Sequence, residues 1–149
     1  MRLTIHAFRS YVYVGVQFVC LVLIITTGPL LASSLELLVL EMLGFFFGFW
    51  ALVTMKFRNL SVFPEIKPSS SLQTSGPYRW IRHPMYSALL LVMLVLVLED
   101  FTYWRGAVWL ILSLGLVLKL EYEEQLLVNK FPEYRGYQSK TSKLIPWIW

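Results

Sequence analysis

Residues 35–55 read LELLVLEMLGFFFGFWALVTM, and this stretch decides the class of fold. Glu36 and Glu41 are its only charged residues. Its length matches the roughly 20 apolar residues that a helix needs to cross the hydrocarbon core of a bilayer. The run is continuously apolar rather than alternating, which argues against a transmembrane β-barrel. The stretch therefore predicts a membrane-spanning helix.

Three further apolar stretches flank this one, at Tyr11–Leu31, Pro84–Leu98 and Ala107–Leu120. The last two are only about 15 residues long and cross a bilayer only with help from flanking residues. We expect the first to be a retained helix rather than a cleaved signal peptide, because it is longer than a signal core. The chain of 149 residues is 57% hydrophobic and 15% charged, whereas soluble domains carry about a quarter charged residues. We predict an all-α, polytopic membrane protein with about four transmembrane helices.

The basic residues lie almost entirely on one side of these predicted spans. Only Arg105 falls in a loop on the other side, beside the acidic Glu99 and Asp100. The positive-inside rule makes the basic side cytosolic and places both termini there. The net charge of +4 is then a consequence of topology, and we do not expect nucleic-acid binding. The twelve residues on the basic side are Arg2, Arg9, Lys56, Arg58, Lys67, Arg79, Arg82, Lys119, Lys130, Arg135, Lys140 and Lys143.

The chain reads as a single domain, residues 1–149. Residues 1–55 predict an N-terminal helical hairpin, residues 56–83 a cytosolic loop, and residues 84–149 a C-terminal hairpin and tail. A helix from Ala107 to Lys130 would be about 36 Å long. Since the hydrocarbon core is about 30 Å thick, its last two turns should protrude into the cytosol.

Two features inside the second span allow a structural or a functional interpretation. Gly44 and Gly48 have the spacing of small residues that lets membrane helices pack closely, and we favour this packing role. Glu41 is an ionisable residue within a span and is therefore a functional candidate. Because it lies near the outer end, an alternative is that its carboxylate reaches the lipid headgroups.

The first chemical motif is SGPYRWIRHPMYS, residues 75–87. Pro84 suits the first turn of a helix, and the extended geometry favoured before proline makes His83 a plausible N-cap. Free N–H groups at this helix start, together with Arg79 and Arg82, predict an anion site. The alternative is that these arginines only anchor headgroups.

The second motif is the acidic cluster Glu121, Glu123 and Glu124 at the cytosolic end of the last span. Lys119 and Glu123 are one turn apart and share a helix face. One interpretation is that Lys119 and Glu123 form an ordinary surface salt bridge. In the functional interpretation, a glutamate of this cluster binds the ammonium group of a ligand, and the nearby start of the third apolar helix binds the carboxylate of the same ligand. The methionine part of S-adenosylmethionine carries both groups.

Together, RHPMY (residues 82–86) and EEQLLVNKFPEYRGYQSK (residues 123–140), followed by IPW, resemble the integral-membrane methyltransferases. That family includes isoprenylcysteine carboxyl methyltransferase and the phospholipid N-methyltransferases. The resemblance covers residues 71–146 and implies a role for Lys119 in catalysis and substrate binding. Prenylcysteine enzymes have arginine there, so the lysine puts a prenylcysteine carboxylate substrate in question. The S-adenosylmethionine-binding residues that it implies are Ser70, Ser71, Leu72, Gln73, Tyr78, Arg82, His83, Pro84, Met85, Tyr86, Glu123 and Glu124.

The resemblance predicts methyl transfer from S-adenosylmethionine to a lipophilic acceptor at the cytosolic interface. The acceptor would be isoprenylcysteine carboxylate-like or phospholipid amine-like, with membrane lipids as surroundings. No group of Cys and His residues suggests a metal. Two alternatives stay open at this point, a sterol-reductase-like oxidoreductase that uses NADPH and a non-catalytic membrane subunit. The oligomeric state is open.

Overall fold

A computed structural model describes residues 2–59, 63–64 and 71–148 of the chain. The described part is helical, and its only β-type pairing is an isolated parallel bridge between Ile81 and Ser142. A short 3₁₀ helix, Gly76–Arg79, precedes the third α-helix. The five α-helices are α1 Arg2–Thr26, α2 Leu35–Asn59, α3 Pro84–Glu99, α4 Tyr103–Lys130 and α5 Tyr134–Gln138. The predicted all-α class is confirmed.

Three of these helices are long and apolar enough to cross a membrane, over Phe8–Thr26, Leu35–Met55 and Tyr103–Lys130. The fourth apolar helix, α3, has 16 residues and is about 24 Å long at 1.5 Å per residue. The helices are those of a polytopic membrane protein, as predicted.

Several helix boundaries differ from the predicted ones, and α1 and α2 extend beyond their apolar stretches, to Arg2 and Asn59. The first apolar stretch was expected to continue to Leu31, but α1 ends at Thr26, because Gly28 and Pro29 follow and neither favours a helix interior. The last long helix begins at Tyr103 rather than Ala107 and ends at Lys130, where Phe131 and Pro132 stop it. Arg105 therefore lies inside α4 and not in a loop.

The two N-terminal helices are joined by a short connection, residues 27–34, but each packs mainly against the C-terminal half. Helix α2 packs on α3, and α1 packs on α4. Helices α1 and α2 are therefore consecutive in the chain, as expected for a hairpin, but each makes its main contacts with a C-terminal helix rather than with the other. Helix α3 also contacts α4 and, to a smaller extent, α1.

The contact between α2 and α3 depends on small residues. A Cβ atom placed on Gly44 would lie 2.8 Å from Val92 Cγ2, and one placed on Gly48 would lie 3.1 Å from Ala88 Cβ. The absence of side chains at these two positions lets the helices approach closely. The structure bears out the packing interpretation of the glycine pair.

The principal buried apolar cluster joins three helices, α1, α3 and α4. Its residues are buried and pack against one another between these helices. They are Cys20, Ile24, Val92, Met93, Leu96, Val97, Leu112 and Leu116.

The helices alternate in direction, so the bundle has two distinct ends. We call the end that contains His83 and Glu123 the motif end; it also holds the beginning of α3 and the end of α4. The loop end is the opposite one and contains the connections 27–34 and 100–102. Thr54 near the end of α2 lies against Gly76, and Gln17 in α1 contacts Lys119, so all four long helices contribute to the motif end.

A buried arginine ties three helices together at the loop end. The side chain of Arg105 is fully buried. Its guanidinium donates to the carbonyls of Leu96 (3.0 Å) and Ile24 (3.3 Å) and to the carboxylate of Asp100 (3.0 Å). Gly28 permits this arrangement, because a Cβ there would lie 2.2 Å from the guanidinium.

Glu41 is also fully buried, so the alternative that its carboxylate reaches lipid headgroups is wrong. Its Oε2 accepts a hydrogen bond of 2.9 Å from the backbone N–H of Ala32. A buried N–H that lacks a partner destabilises a fold. The buried carboxylate of Glu41 therefore provides a hydrogen-bond partner for a main-chain N–H in the connection between α1 and α2.

We predict that Gly44→Leu lowers the free energy of unfolding of the detergent-solubilised protein by about 1–3 kcal/mol, since the new side chain overlaps Val92. Thermal unfolding measures this. Gly15→Leu is the matched control, because a Cβ at Gly15 meets no atom of the described residues within 4 Å. Equal midpoints for the two variants would contradict the close contact of α2 and α3.

Candidate functional site

The site is built where α3 begins. His83 is the N-cap of α3 and Pro84 occupies its first turn, as predicted. Proline pre-sets the helical backbone and lacks the N–H that would have no partner there. The His83 side chain makes no capping hydrogen bond, so its ring is available for other contacts.

The C-terminal tail returns to hold this helix start in place. The backbone N–H groups of Arg82 and His83 donate to the carbonyls of Ser142 (2.9 Å) and Lys143 (3.1 Å). The hydroxyl of Ser87 donates to the carbonyl of Leu144 at 2.6 Å. The tail thus satisfies backbone groups of the motif and fixes its position against the end of α4.

A buried ion pair joins the motif to α4. Arg82 Nε lies 2.5 Å from Glu124 Oε1, and both side chains are less than a tenth exposed. Arg82 Nη1 also donates to the carbonyls of Gln138 (3.1 Å) and Thr141. The second carboxylate oxygen of Glu124 accepts a hydrogen bond of 2.9 Å from the side-chain amide of Gln138. Arg82 and Glu124 therefore satisfy each other and the tail.

His83 lies between the two adjacent glutamates of α4. Its Nε2 is 3.2 Å from Glu124 Oε1, and its Nδ1 is 3.7 Å from Glu123 Oε2. The imidazole is parallel to the ring of Tyr86, with 5.6 Å between the centroids. These contacts fix the ring, and with it the position of the first turn of α3 relative to α4.

Glu123 differs from its neighbour because it keeps some exposure. Its side chain is 17% exposed, and the hydroxyl of Tyr86 donates to Oε1 at 2.5 Å. No arginine or lysine ion pair of the Glu124 kind is formed by Glu123 among the described residues. A carboxylate with a neutral donor and an accessible edge can accept hydrogen bonds from a ligand ammonium group.

Lys119 is buried, only 2% exposed, so the interpretation as a surface salt bridge is wrong. Its ammonium donates to Gln17 Oε1 at 2.9 Å and lies 5.2 Å from the centroid of the Tyr86 ring. Tyr86 therefore contacts both sides of the site, with its hydroxyl on Glu123 and its ring under Lys119.

Tyr78 places an unsatisfied hydroxyl in the same region. The residue is 3% exposed, and its phenol oxygen has no hydrogen-bond partner within the described ranges. Burial, together with the nearby Tyr137 and Glu123, raises the pKa of this phenol. The hydroxyl therefore keeps its proton and can donate to a ligand. The Tyr137 hydroxyl donates to the Tyr78 carbonyl and anchors that residue to the tail.

The remaining predicted site residues are spread around this cluster. Ser70 lies outside the described residues, Leu72 is half-buried, and Ser71 is exposed. The Gln73 amide donates to the Ser75 hydroxyl at 2.5 Å, rather than to the cluster. Met85 is half-buried in the first turn of α3.

The two arginines of the predicted anion site at the start of α3 have different surroundings. Arg82 is used by Glu124 and the tail carbonyls. Arg79 is exposed, with its guanidinium 5.2 Å from the centroid of the Trp80 ring. Because Arg82 and Glu124 satisfy each other and the tail, we propose a scaffold role for this pair and keep Glu123 as the candidate ligand.

Several residues that build the site were not singled out from the sequence. Gln138, Thr141 and Tyr137 belong to the tail and act through long-range contacts that no local pattern reveals. Gln17 had a visible signal, because a polar side chain within an apolar span marks a buried contact. That signal does not identify Lys119, 102 positions away, as its partner.

The sequence of the segment that carries most of this site matches a known family. The sequence model of the isoprenylcysteine carboxyl methyltransferase (ICMT) family matches residues 35–129. The chain belongs to this family. The match begins with α2, so it extends further towards the N-terminus than the motifs that carried the resemblance, and it ends before the tail. No curated protein matches the chain significantly.

Membership of the ICMT family makes this protein a membrane methyltransferase by class. Residues 35–129, which match the family, include the α2–α3 contact and the Arg82–Glu124 pair. They also include Glu123 and Lys119, the two residues that Tyr86 contacts. Helix α1 and the tail lie outside this segment and supply Gln17, Gln138 and Thr141.

We predict that Glu124→Ala lowers the free energy of unfolding by about 3–5 kcal/mol, because Arg82 would remain buried without its counter-charge. Thermal unfolding in detergent measures the loss. Glu123→Ala is the matched control one position earlier and should cost much less. Equal losses would contradict the distinction between a scaffold glutamate and a ligand glutamate.

Proposed function

We propose that this protein transfers a methyl group from S-adenosylmethionine to a lipophilic, membrane-embedded acceptor at the cytosolic interface. The observation that carries the proposal is the combination of Glu123 and Tyr78 at the motif end. One offers a partly exposed carboxylate, and the other offers a buried hydroxyl without a partner in the described chain. Both lie in the segment that matches a methyltransferase family.

The chemistry of these groups fits S-adenosylmethionine. Glu123 would accept hydrogen bonds from the amino group of its methionine part, and Tyr78 would donate to one of its acceptor atoms. When bound, the cofactor supplies an electrophilic sulfonium methyl group, so the protein needs neither a metal nor a covalent intermediate. The protein's own contribution is to align the acceptor and to exclude water.

The acceptor side of the site is assigned to Lys119. Its ammonium is buried and lies over the Tyr86 ring, 5.2 Å from the ring centroid. An ammonium is a point charge and does not give the bidentate recognition of an arginine. Two acceptor classes remain candidates, an isoprenylcysteine-like carboxylate and a phospholipid amine.

A membrane-embedded acceptor is consistent with the surroundings of the site. The helices expose large apolar side chains laterally, such as Phe46 and Phe49 on α2 and Leu114 on α4. The polar side chains of the candidate site lie at the motif end. A polar cofactor from the cytosol and an apolar acceptor from the bilayer would therefore meet at this end.

Cofactor choice is the decisive test. Purified protein titrated with S-adenosylmethionine should release heat with a saturable isotherm, whereas NADPH should give none. Incubation with methyl-labelled S-adenosylmethionine and a membrane lipid extract should yield a labelled lipophilic product. Binding of NADPH alone would support the sterol-reductase-like alternative, and S-adenosylmethionine binding without a labelled product would support a non-catalytic subunit.

Tyr78→Phe separates the ligand role of its hydroxyl from a structural one. Because the hydroxyl lacks a partner among the described residues, its removal should leave the unfolding midpoint unchanged or higher, while S-adenosylmethionine affinity should fall by about tenfold. Tyr137→Phe is the control, since it removes the hydrogen bond to the Tyr78 carbonyl and should lower the midpoint. Unchanged affinity in a folded Tyr78→Phe variant would contradict the assignment.

We further propose that both termini and the motif end are cytosolic, on the basis of the asymmetric basic residues. Cys20 is the sole cysteine and is buried, so introduced cysteines can be labelled selectively. Ser34→Cys should react from the side opposite to a cysteine placed at Ser139. Labelling of both positions from the same side would overturn this topology.

A further inference from the structure

We propose that a turn of the C-terminal tail, residues 145–148, anchors the protein in the headgroup region of the surrounding bilayer. We call these residues the anchor turn. Their large apolar side chains lie among the lipid headgroups at the motif end, and the membrane thereby holds the tail against the start of α3. This inference is independent of the methyl transfer proposed above and of which face of the membrane is cytosolic.

The anchor turn is a defined element of the fold. The N–H of Ile148 donates to the carbonyl of Ile145 at 3.2 Å, and the N–H of Trp147 donates to the hydroxyl of Ser142 at 3.0 Å. Trp147 has a φ of 61°, in the left-handed region that bulky residues rarely adopt. The two hydrogen bonds close the turn onto the tail and fix the backbone from which its side chains project.

The anchor turn exposes its apolar side chains instead of packing them on the bundle. The exposed fraction is 90% for Trp147 and 78% for Ile148, and Ile145 is exposed as well. Contiguous exposed apolar surface is unfavourable in water and marks an interaction site for a protein or a membrane. Leu144, directly before the turn, is buried. The change from packed to exposed side chains therefore coincides with the start of the turn.

The position of the turn favours a bilayer as its partner. Trp80 contacts Trp50 of α2, with 5.9 Å between the ring centroids, and Trp50 lies within Leu35–Met55, a stretch long and apolar enough to cross a membrane. The N–H of Ser142 donates to the carbonyl of Trp80 at 3.0 Å. Ile145 follows three residues later, and a chain of that length spans at most about 11 Å. Since the headgroup region is about 5–8 Å thick on each side, the turn lies within its reach.

The residues beside the turn suit lipid headgroups. Tryptophan concentrates at membrane–water interfaces because its ring is amphipathic, and Trp147 and Trp80 are both exposed. Arg79 is exposed, with its guanidinium 5.2 Å from the centroid of the Trp80 ring, and Lys140 is exposed as well. Basic side chains at a membrane surface attract anionic lipid headgroups. The same surface of a second copy would bring more positive charge, so the bilayer is the better occupant.

Membrane contact of the anchor turn acts on the candidate site through the tail. The carbonyls of Ser142 and Lys143 accept hydrogen bonds from the N–H groups of Arg82 and His83, at 2.9 Å and 3.1 Å. These carbonyls lie directly before the anchor turn in the chain, so fixing the turn restrains them. Loss of the anchor should therefore open these two hydrogen bonds more often, although no residue of the site has changed.

The location of the turn can be measured with a fluorescent label on Ile148→Cys, since the natural Cys20 is buried. The full-length protein is placed in nanodiscs of phosphatidylcholine and phosphatidylglycerol. Quenching by lipids with brominated acyl chains is then compared with quenching by iodide in the water. We expect lipid quenching at position 148, as for a label at the laterally exposed Leu114. A label at Ser139, which is exposed on the tail, should be quenched by iodide alone.

Each result of this measurement decides the question. Quenching of position 148 by iodide alone would place the turn in water and overturn the proposal. Protection from both quenchers would indicate a contact with another copy of the chain and would overturn it as well. Adding Trp147→Ser to the labelled protein should shift position 148 towards iodide quenching. An unchanged ratio would mean that the label, rather than the turn, seeks the lipid.

Amide hydrogen exchange in the same nanodiscs tests whether the anchor holds the tail. Trp147→Ser combined with Ile148→Ser should speed exchange of the peptide that contains Arg82 and His83 by about tenfold, because the loss of buried apolar surface shifts the opening equilibrium by roughly that factor. Tyr103→Ser is the matched control, since it removes an equally exposed aromatic side chain at the loop end. It should leave this peptide unchanged. Equal exchange in the wild type and the double variant, or equal acceleration by Tyr103→Ser, would overturn the anchoring role.

Discussion

The ion pair between Arg82 and Glu124 is the constraint on which the motif end depends. A buried guanidinium is tolerated only when its charge and its N–H groups are satisfied. Glu124 provides the charge, and the carbonyls of Gln138 and Thr141 complete the shell. This one requirement brings together the loop before α3, the end of α4 and the returning tail. The positions of His83 and Glu123 follow from it.

The loop end depends mainly on hydrogen bonds between buried charged side chains and the main chain, beside the ion pair of Arg105 with Asp100. Arg105 is satisfied largely by backbone carbonyls at the ends of α1 and α3, and Glu41 by a backbone N–H of the first connection. In a bilayer, where water is absent from the hydrocarbon region, such unpaired backbone groups have few other partners. The two ends therefore solve the same problem differently. The loop end joins helices through main-chain groups, and the motif end joins them through side chains that a ligand can also engage.

Much of the fold followed from periodicity and length. The apolar runs identified the four long helices, and Gly44 with Gly48 identified a close helix contact. Sequence alone did not identify the helix partners, because an apolar lateral surface is equally suited to any neighbour in lipid. Sequence alone also did not decide which charged groups are buried. A surface position for Lys119 and a headgroup position for Glu41 were left open as alternatives, and Arg105 was expected in a loop, whereas the bundle encloses all three.

The site was predictable where local rules apply. Pro84 and His83 at the start of α3 follow from the backbone preferences around proline. The division between Glu123 and Glu124 did not follow, since two adjacent acids look alike in sequence and differ only in what the fold brings to them. Arg82 was expected to face a ligand because the sequence does not show which residues the fold brings next to it. Its partners in the tail are more than fifty residues away along the chain.

Tyr86 has a consequence of a different kind, because a single ring serves two contacts. Its hydroxyl donates to Glu123, and its face lies beside the ammonium of Lys119. Any tilt of the ring alters both contacts together. If the proposed cofactor binds at Glu123 and the proposed acceptor at Lys119, thermodynamic reciprocity requires any coupling through this ring to be equal in both directions. In the proposed function, Tyr86 is the one side chain that contacts both the cofactor side and the acceptor side of the site.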